Sequence, residues 1–422
     1  MAPLKYSGSS MFRQRIVASI LSNRPLKIDR IRESEEEFTG LQDFEASFLR
    51  LIDEMTDGTR IEINETGTTL RLKPGILVGG SITHDCGLSR SIGWFLEGII
   101  PIAIFCKNPV ELELRGITND DLDLSMDIFT HVTLPLLKNF GIYNIQCKIK
   151  KRGMPPKGGG EVSVVIAPIR DSLSSIYITD EGLVKRVRGV AFCTRVSPTI
   201  LSRVVESSRA VLNNFLPDVH IHTDHYKGSR DGGDSPGYSL CLIAETSTGA
   251  LLSIERTAKT RRQTPVPGVM SEEGVGLQSG EVPETIGTEG AQMLLEEIFS
   301  GGVVDRMHQS LILILMVLTP EDVSKVRFGS LTPQAMDTLR IIRDAFGVVF
   351  RIKEDRVEPD ADRSRGVTKI EGDDDDEEEG EEDDNGEPNQ NQATDNHSLP
   401  PRVTYLLSCL GIGYTNVNRR VT

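Results

Sequence analysis

KKRGMPPKGGGEV, residues 150–162, sets four cations, Lys150, Lys151, Arg152 and Lys157, around a proline pair and three consecutive glycines. Backbone N–H groups can close on an anion only where no Cβ stands in the way, so this composition predicts a cradle for phosphate. The open question is whether the chain performs phosphate chemistry or only retains the cradle.

Outward from this stretch, helix-like and strand-like segments alternate. SSMFRQRIVASILSN (9–23) has helical apolar spacing and precedes the strand-like LKIDRIR. DFEASFLRLIDEMTDG (43–58) reads as a helix with Gly58 as a C-cap candidate, followed by RIEINETGTTLRLKPG as paired strands. SRSIGWFLEGIIPIAIFC, VELELRG, SMDIFTHVTLPLLKNFG and IQCKIKKRG continue the rhythm. It predicts a layered α/β (α+β) architecture, with sheets covered by helices. From Leu183 to Thr264 the texture changes to VRGVAFCTRV, a helix SPTILSRVVESSRAVLNNFL with Ser197 as N-cap and Pro198 at N1, then VHIHTDHY and YSLCLIAETSTGALLSIERTA as strands. That is a compact domain nested inside another.

The chain has 422 residues, enough for two or three domains, and 38% hydrophobic residues, with no apolar run long enough to span a bilayer. The greasiest segment, LILILMVL (311–318), is sized for a core. MAPLKYSGSSMFRQR shows no apolar secretory segment, so cytosol or nucleus is the expected compartment. The six scattered cysteines read as reduced, buried thiols. The net charge of −15 is local: residues 371–387 hold 13 acids and no base, which leaves 49 acids against 47 bases elsewhere. A near-neutral body can still present a basic face. Residues 359–399, polar and poor in aromatics, are expected to be a disordered acidic insertion at the tip of a hairpin formed by GVVFRIK (347–353) and RVTYLLSCLGIGYT (402–415).

Three stretches could carry chemistry. HIHTDH (220–225) gathers His220, His222 and His225, but in a strand the first two share one face and the third falls on the other, so no metal site is expected. GILVGGSITHDCG (75–87) fits neither the P-loop nor the dinucleotide fingerprint and reads as a tight turn between strand and helix. Basic residues cluster at Arg13 with Arg15, at 150–157, at Lys185, Arg186 and Arg188, at Arg256, Lys259, Arg261 and Arg262, and at Arg419 with Arg420. Together they suggest an RNA or phosphate surface; at 5% aromatics, a stacking platform is not expected.

KKRGMPPKGGGEV, ELRGITNDDLDLS (113–125), the run from ETGTTLRLKPG to THDCGLSRSIGWFLE (65–97) and SPGYSLCLIAETSTG (235–249) together resemble the RNA 3′-terminal phosphate cyclase superfamily, and within it the ribosome-assembly branch. The resemblance implies a large domain of repeated units, each a small sheet backed by two helices, with a smaller α/β domain inserted after the second or third unit. The division expected is 1–182 for the first part of the large domain, 183–264 for the insert, and 265–358 with 400–422 for the remainder.

Departures from the family pattern bear on function. The cyclases adenylylate a histidine just before an apolar helix; in the matching VDRMHQSLILILMVL, Asp305 stands at that place, and a carboxylate cannot form the phosphoramidate. His308 lies three residues on, about 4.5 Å along the axis if the segment is helical, too far to substitute. The glycine run expected near the N-terminus is replaced by SGSSMFRQRIV, with Gly8 alone and bulky Met11 and Phe12, and TPQAMDTLR (332–340) lacks a histidine common in that loop. The resemblance therefore implies a non-catalytic ribosome-biogenesis factor of the small-subunit processome, nuclear and nucleolar. It would be needed for early pre-rRNA cleavages that yield 18S rRNA, and would act with a large assembly GTPase and without a cofactor of its own. Its RNA-facing candidates are Arg13, Arg15, Lys150, Lys151, Arg152 and Lys157. An alternative is an endonuclease that cleaves pre-rRNA, with Asp322, Lys325 and Arg327 in TPEDVSKVRFG (319–329) as base and charge stabilisers; an active cyclase is a third reading.

Overall fold

The computed structural model describes residues 2–35, 38–228, 230–259, 281–357 and 402–419. Along the chain run β1 (Leu4–Ser7), α1 (Phe12–Ser22), β2 (Leu26–Asp29), α2 (Asp43–Met55), β3 (Thr56–Asp57), β4 (Arg60–Ile63), β5 (Leu70–Lys73) and β6 (Ile76–Leu77). The main sheet of this first unit has the order β1-β2-β5-β4, with β1 and β2 parallel and the remaining pairs antiparallel. The second unit repeats that path: β7 (Gly80–Asp85), α3 (Ile92–Ala103), β8 (Val110–Gly116), α4 (Met126–Ile128) continuing through a π-helical turn (Phe129–Thr133) into α5 (Leu134–Lys138), then β9 (Ile145–Lys151) and β10 (Gly160–Ile166), in the order β7-β8-β10-β9.

The third unit starts at β11 (Tyr177–Ile178) and is then interrupted. The interruption comprises β12 (Val184–Thr194), α6 (Thr199–Leu212), β13 (Val219–Tyr226), β14 (Gly237–Thr246), β15 (Leu251–Thr257) and α7 (Pro283–Ser300). The unit resumes with α8 (Gln309–Val317), β16 (Val323–Phe328), α9 (Pro333–Phe346), β17 (Arg351–Val357) and β18 (Arg402–Leu410), closing a sheet of order β11-β16-β18-β17. The same pairing pattern thus appears three times.

Packing explains the layout. In β5 the pattern Leu70, Arg71, Leu72, Lys73 alternates buried and exposed, which points one face of the sheet to the helices and the other to solvent. Helices of different units pack on one another, α1 on α3 and α9, and α8 on α3, while α8 and α9 pack within the third unit. All nine residues of α8 are buried, so LILILMVL is core on every side.

A second core belongs to the insert, whose sheet has the order β13-β12-β14-β15. It includes Ile286, Ala291 and Leu294 of α7, which packs on α6, β14 and β15. The expected insert boundary at 264 therefore falls short, because α7 completes the layer covering that sheet.

Several local expectations need correction. Gly58 does not cap α2; Thr56 ends that helix, and Gly58, at φ +75°, turns the chain between β3 and β4. Pro198, not Ser197, is the N-cap of α6, although Ser197 Oγ still accepts from the Thr199 N–H at 3.4 Å. GILVGGSITHDCG holds β6 and the strand β7, with its turn before α3 at Gly87. Within TPEDVSKVRFG, Val323–Phe328 form β16, an inner strand of its sheet. The hairpin around the acidic segment exists as antiparallel β17 and β18; the segment itself, with Arg261, Arg262 and Arg420, lies outside the described residues.

Candidate functional site

The glycine run of 150–162 holds protein, not an open cradle. Gly158 and Gly159 take φ of +61° and +76°. The Asp234 N–H donates to Gly158 O at 3.0 Å, and the Lys157 N–H donates to Ser235 Oγ at 2.9 Å. A Cβ on Gly159 would strike the Asp234 carboxylate, and one on Gly233 would strike the carbonyls of Gly158 and Arg152. The glycines are needed because a loop of the insert lies against the second unit at backbone distance.

Arg152 closes the same junction and is a correction to its expected role. It is 4% exposed, binds Asp127 through Nη1 and Nη2, and stacks over Phe192 at 4.2 Å and Tyr226 at 5.6 Å. Asn119 bridges Asp127 to the half-buried Glu255 at 3.0 and 2.8 Å. Burial raises the Asp127 carboxyl, but Arg152 and Asn119 outweigh it and the net shift is downward. Burial, and then the neighbouring Asp127, push Glu255 up to about 8, so it is protonated at neutral pH.

Arg13 and Arg15 are also unavailable to RNA. Arg13 is 7% exposed, pairs with Glu97 at 2.5 Å and donates to Trp94 O at 2.6 Å. Arg15, 8% exposed, donates to Gly8 O at 2.7 Å and Ser10 Oγ at 3.0 Å. Of the six candidates, Lys150, Lys151 and Lys157 remain accessible, with Lys150 bonded to Glu113 at 2.5 Å.

Asp305 is completely buried. Its Oδ2 accepts from Ser253 Oγ and, at 3.1 Å, from the Ser253 N–H of β15, while Oδ1 meets His308 Nδ1 at 2.5 Å. His308 Nε2 contacts Thr133 Oγ1 of the π-helical turn at 2.7 Å. Residues 306–308 form a turn before α8 and His308 is its N-cap, so a separation measured along a helix does not apply. His308 reaches Asp305 directly, yet it is 1% exposed with both ring nitrogens engaged. The relay ties the second unit, the third unit and the insert together and offers no nucleophile to solvent.

The three units meet at a cleft of about 470 Å³ bordered by Arg13, Arg32, Arg90, Trp94, Arg306 and Gln334. Each of its arginines has a carboxylate partner: Glu97 for Arg13 (2.5 Å), Glu45 for Arg32 (2.7 Å), Asp123 for Arg90 (2.5 Å) and Glu297 for Arg306 (3.2 Å). Arg13 and Arg90 also lie over the Trp94 ring at 5.0 and 5.6 Å. Of these cations only Arg13 was a sequence candidate. The available signal was Trp94, the single tryptophan of the chain.

Lys325 and Arg327 lie on β16, Asp322 lies just before it, and the three do not converge. Lys325 and Arg327 share a face, Lys325 over the Tyr177 ring at 5.1 Å and Arg327 fixed by Asp355 at 2.7 Å. Asp322 Oδ1 accepts from the Val323 N–H, and five residues of strand span about 16 Å, far beyond reach of one reacting atom. His220 and His222 are exposed on β13, and among the described residues no group of three or more potential ligands could hold a metal. The cysteines are free; burial pushes Cys106 and Cys409 up to about 12 and Cys193 and Cys147 to about 11, which leaves the thiols unreactive. Among the described residues no helix is long and apolar enough to cross a membrane.

Comparison with known proteins places this geometry. The sequence model of the family described as RNA 3′-terminal phosphate cyclase matches residues 4–352. The RNA 3′-terminal phosphate cyclase-like protein of Homo sapiens is 42% identical over 418 residues, covering 99% of this chain and 97% of the human one. A probable RNA 3′-terminal phosphate cyclase-like protein of Dictyostelium discoideum is 43% identical over 99% of both chains. The rRNA processing protein rcl1 of Schizosaccharomyces pombe is 38% identical over 354 residues, 83% of this chain and 92% of its own.

Proposed function

The chain belongs to the RNA 3′-terminal phosphate cyclase family, and from that membership we propose that it is a non-catalytic factor in rRNA processing. The observation that carries the reading is Asp305. At the place where the family resemblance expects a histidine that accepts AMP, this chain has a carboxylate with no exposed surface, held by Ser253 and His308. Transfer of AMP to the protein as a phosphoramidate needs a nitrogen nucleophile within reach of the α-phosphate; Asp305 has none, and the ring nitrogens of His308 are buried and engaged. The carboxylate-paired arginines of the cleft further reduce the positive charge left for a triphosphate.

The role in rRNA processing is supported by the relative that bears that name. We extend it to the early cleavages that release 18S rRNA within the nucleolar small-subunit processome, with a large assembly GTPase as partner. Rapid depletion of the protein in the cells that make it should raise uncleaved precursor and lower mature 18S rRNA, and the tagged chain should co-purify with a GTPase; normal 18S rRNA after depletion would contradict the reading. The endonuclease alternative has less support, because Lys325 and Arg327 lie on β16 and Asp322 precedes it, five residues from Arg327. Site-specific cuts made by the purified chain and lost in Asp322→Ala would favour it.

A further inference from the structure

The solvent face of the first unit's sheet carries a row of like charges. Lys5 on β1 is in register with Lys27 on β2, and Lys27 with Arg71 on β5; Lys73 stands opposite Arg60 in the adjacent row. Residues in register point to the same face and neighbouring strands are about 4.8 Å apart, so three cations stand in line over about 10 Å. Lys5, Arg60, Arg71 and Lys73 are exposed and Lys27 is partly so. Among the strand residues of this face the acids are Asp29, 2.8 Å from Lys27, and Glu62, 4.0 Å from Arg71.

Like charges directly opposite one another destabilise a sheet, so folding gives no reason for this row. The second unit shows the alternative on the same topology. There Lys150 bonds Glu113 at 2.5 Å, Ser163 bonds Glu113 at 2.8 Å, Ser81 bonds Glu111 at 2.7 Å and Arg115 faces Glu161 at 3.6 Å, so that face neutralises itself. The first sheet keeps five cations against two acids.

We propose that this face, Lys5, Lys27, Arg60, Arg71 and Lys73, docks the phosphodiester backbone of an RNA. The proposal rests on the rRNA-processing reading. An acidic protein partner would bring apolar anchors that need an apolar recess, whereas Leu26, Ile28, Leu70 and Leu72 point into the core, and Ile63, exposed on the edge strand, forms no recess among the cations. RNA brings a charge at every backbone step and needs no such recess. No aromatic residue lies on the face, so recognition is by charge, tolerant of sequence and strongly dependent on salt.

The test compares the full chain with Lys5→Gln/Lys27→Gln/Arg71→Gln, using a fluorescent 30-nucleotide single-stranded RNA of mixed sequence over a range of salt. Each lost phosphate contact removes about 0.7 from the slope of log K against log salt, so the triple variant should bind at least roughly tenfold more weakly with a slope shallower by about 2. Glu62→Gln should bind more tightly, and the triple variant should melt no lower than the parent, since the row repels itself. Unchanged affinity and slope overturn the proposal; so does a variant that keeps RNA binding but loses binding to polyglutamate, which would make the face a dock for acidic protein. If depleted cells are rescued by the parent chain and equally by the triple variant, the docking surface is refuted while the rRNA-processing reading stands. If depletion leaves rRNA untouched, it is that reading which fails.

Discussion

Arg152 shows how far residue type falls short of residue role. In sequence it is one of four cations around three glycines; in the fold it is a buried guanidinium between Asp127 and two aromatic rings. The composition was legible but the burial was not, because Asp127, Phe192 and Tyr226 come from distant parts of the chain. Arg13 hides its role similarly, its partner Glu97 being far along the sequence. Removing one partner of a buried pair strands the other, so Asp127→Ala should lower unfolding free energy by about 3–5 kcal/mol in urea titration. A change within 1 kcal/mol would show that the pair is solvated. Glu255 gives a pH signature. Its folded pKa of about 8 lies above the unfolded value near 4.3, so the folded state holds an extra proton between the two and stability falls as pH rises through that window, by at most about 1.4 kcal/mol per unit. Glu297, pushed to about 7 by burial and then Asp305, adds to the same slope. Glu255→Gln should flatten the stability profile between pH 5 and 8; an unaltered slope would place the titration elsewhere.

At the scale of elements, hydrophobic periodicity located most helices and strands, since amphipathic segments announce the face they bury. The misses fall where tertiary context decides. β16 is hard to see locally, because its alternate residues, Lys325 and Arg327, face outward from a sheet that the local sequence does not reveal. The π-helical turn at Phe129–Thr133 has no sequence mark, although it sets Thr133 against His308. Capping is testable: Thr332 Oγ1 accepts from the Ala335 N–H at 3.1 Å at the start of α9, so Thr332→Ala should cost about 1 kcal/mol and Thr332→Ser much less. Gly233→Ala would drive a Cβ into two carbonyls of the second unit. It should loosen the insert, read as faster proteolysis at the junction with both halves still folded; unchanged cleavage would mean that the loop can move aside.

For the whole molecule, the rhythm of helix and strand pointed to layered α/β, while the repeat count came from the family resemblance. The three units share one pairing pattern, yet their sequences differ enough that periodicity alone does not reveal it. The insert boundary was misplaced because α7, which covers the insert's sheet, follows β15 only after a long connection. The cleft where the units converge was legible only through Trp94 and Arg13, as its other arginines come from loops with no common motif. At Asp305 the fold has a sealed carboxylate joining three parts of the structure. The most direct test is to incubate the purified chain with ATP labelled at the α-phosphate, a divalent cation and a 3′-phosphorylated RNA, then resolve the protein under denaturing conditions. No labelled adduct and no cyclised RNA end is the expected result; a covalent adenylate on the chain, lost in Asp305→Ala or His308→Ala, would contradict it.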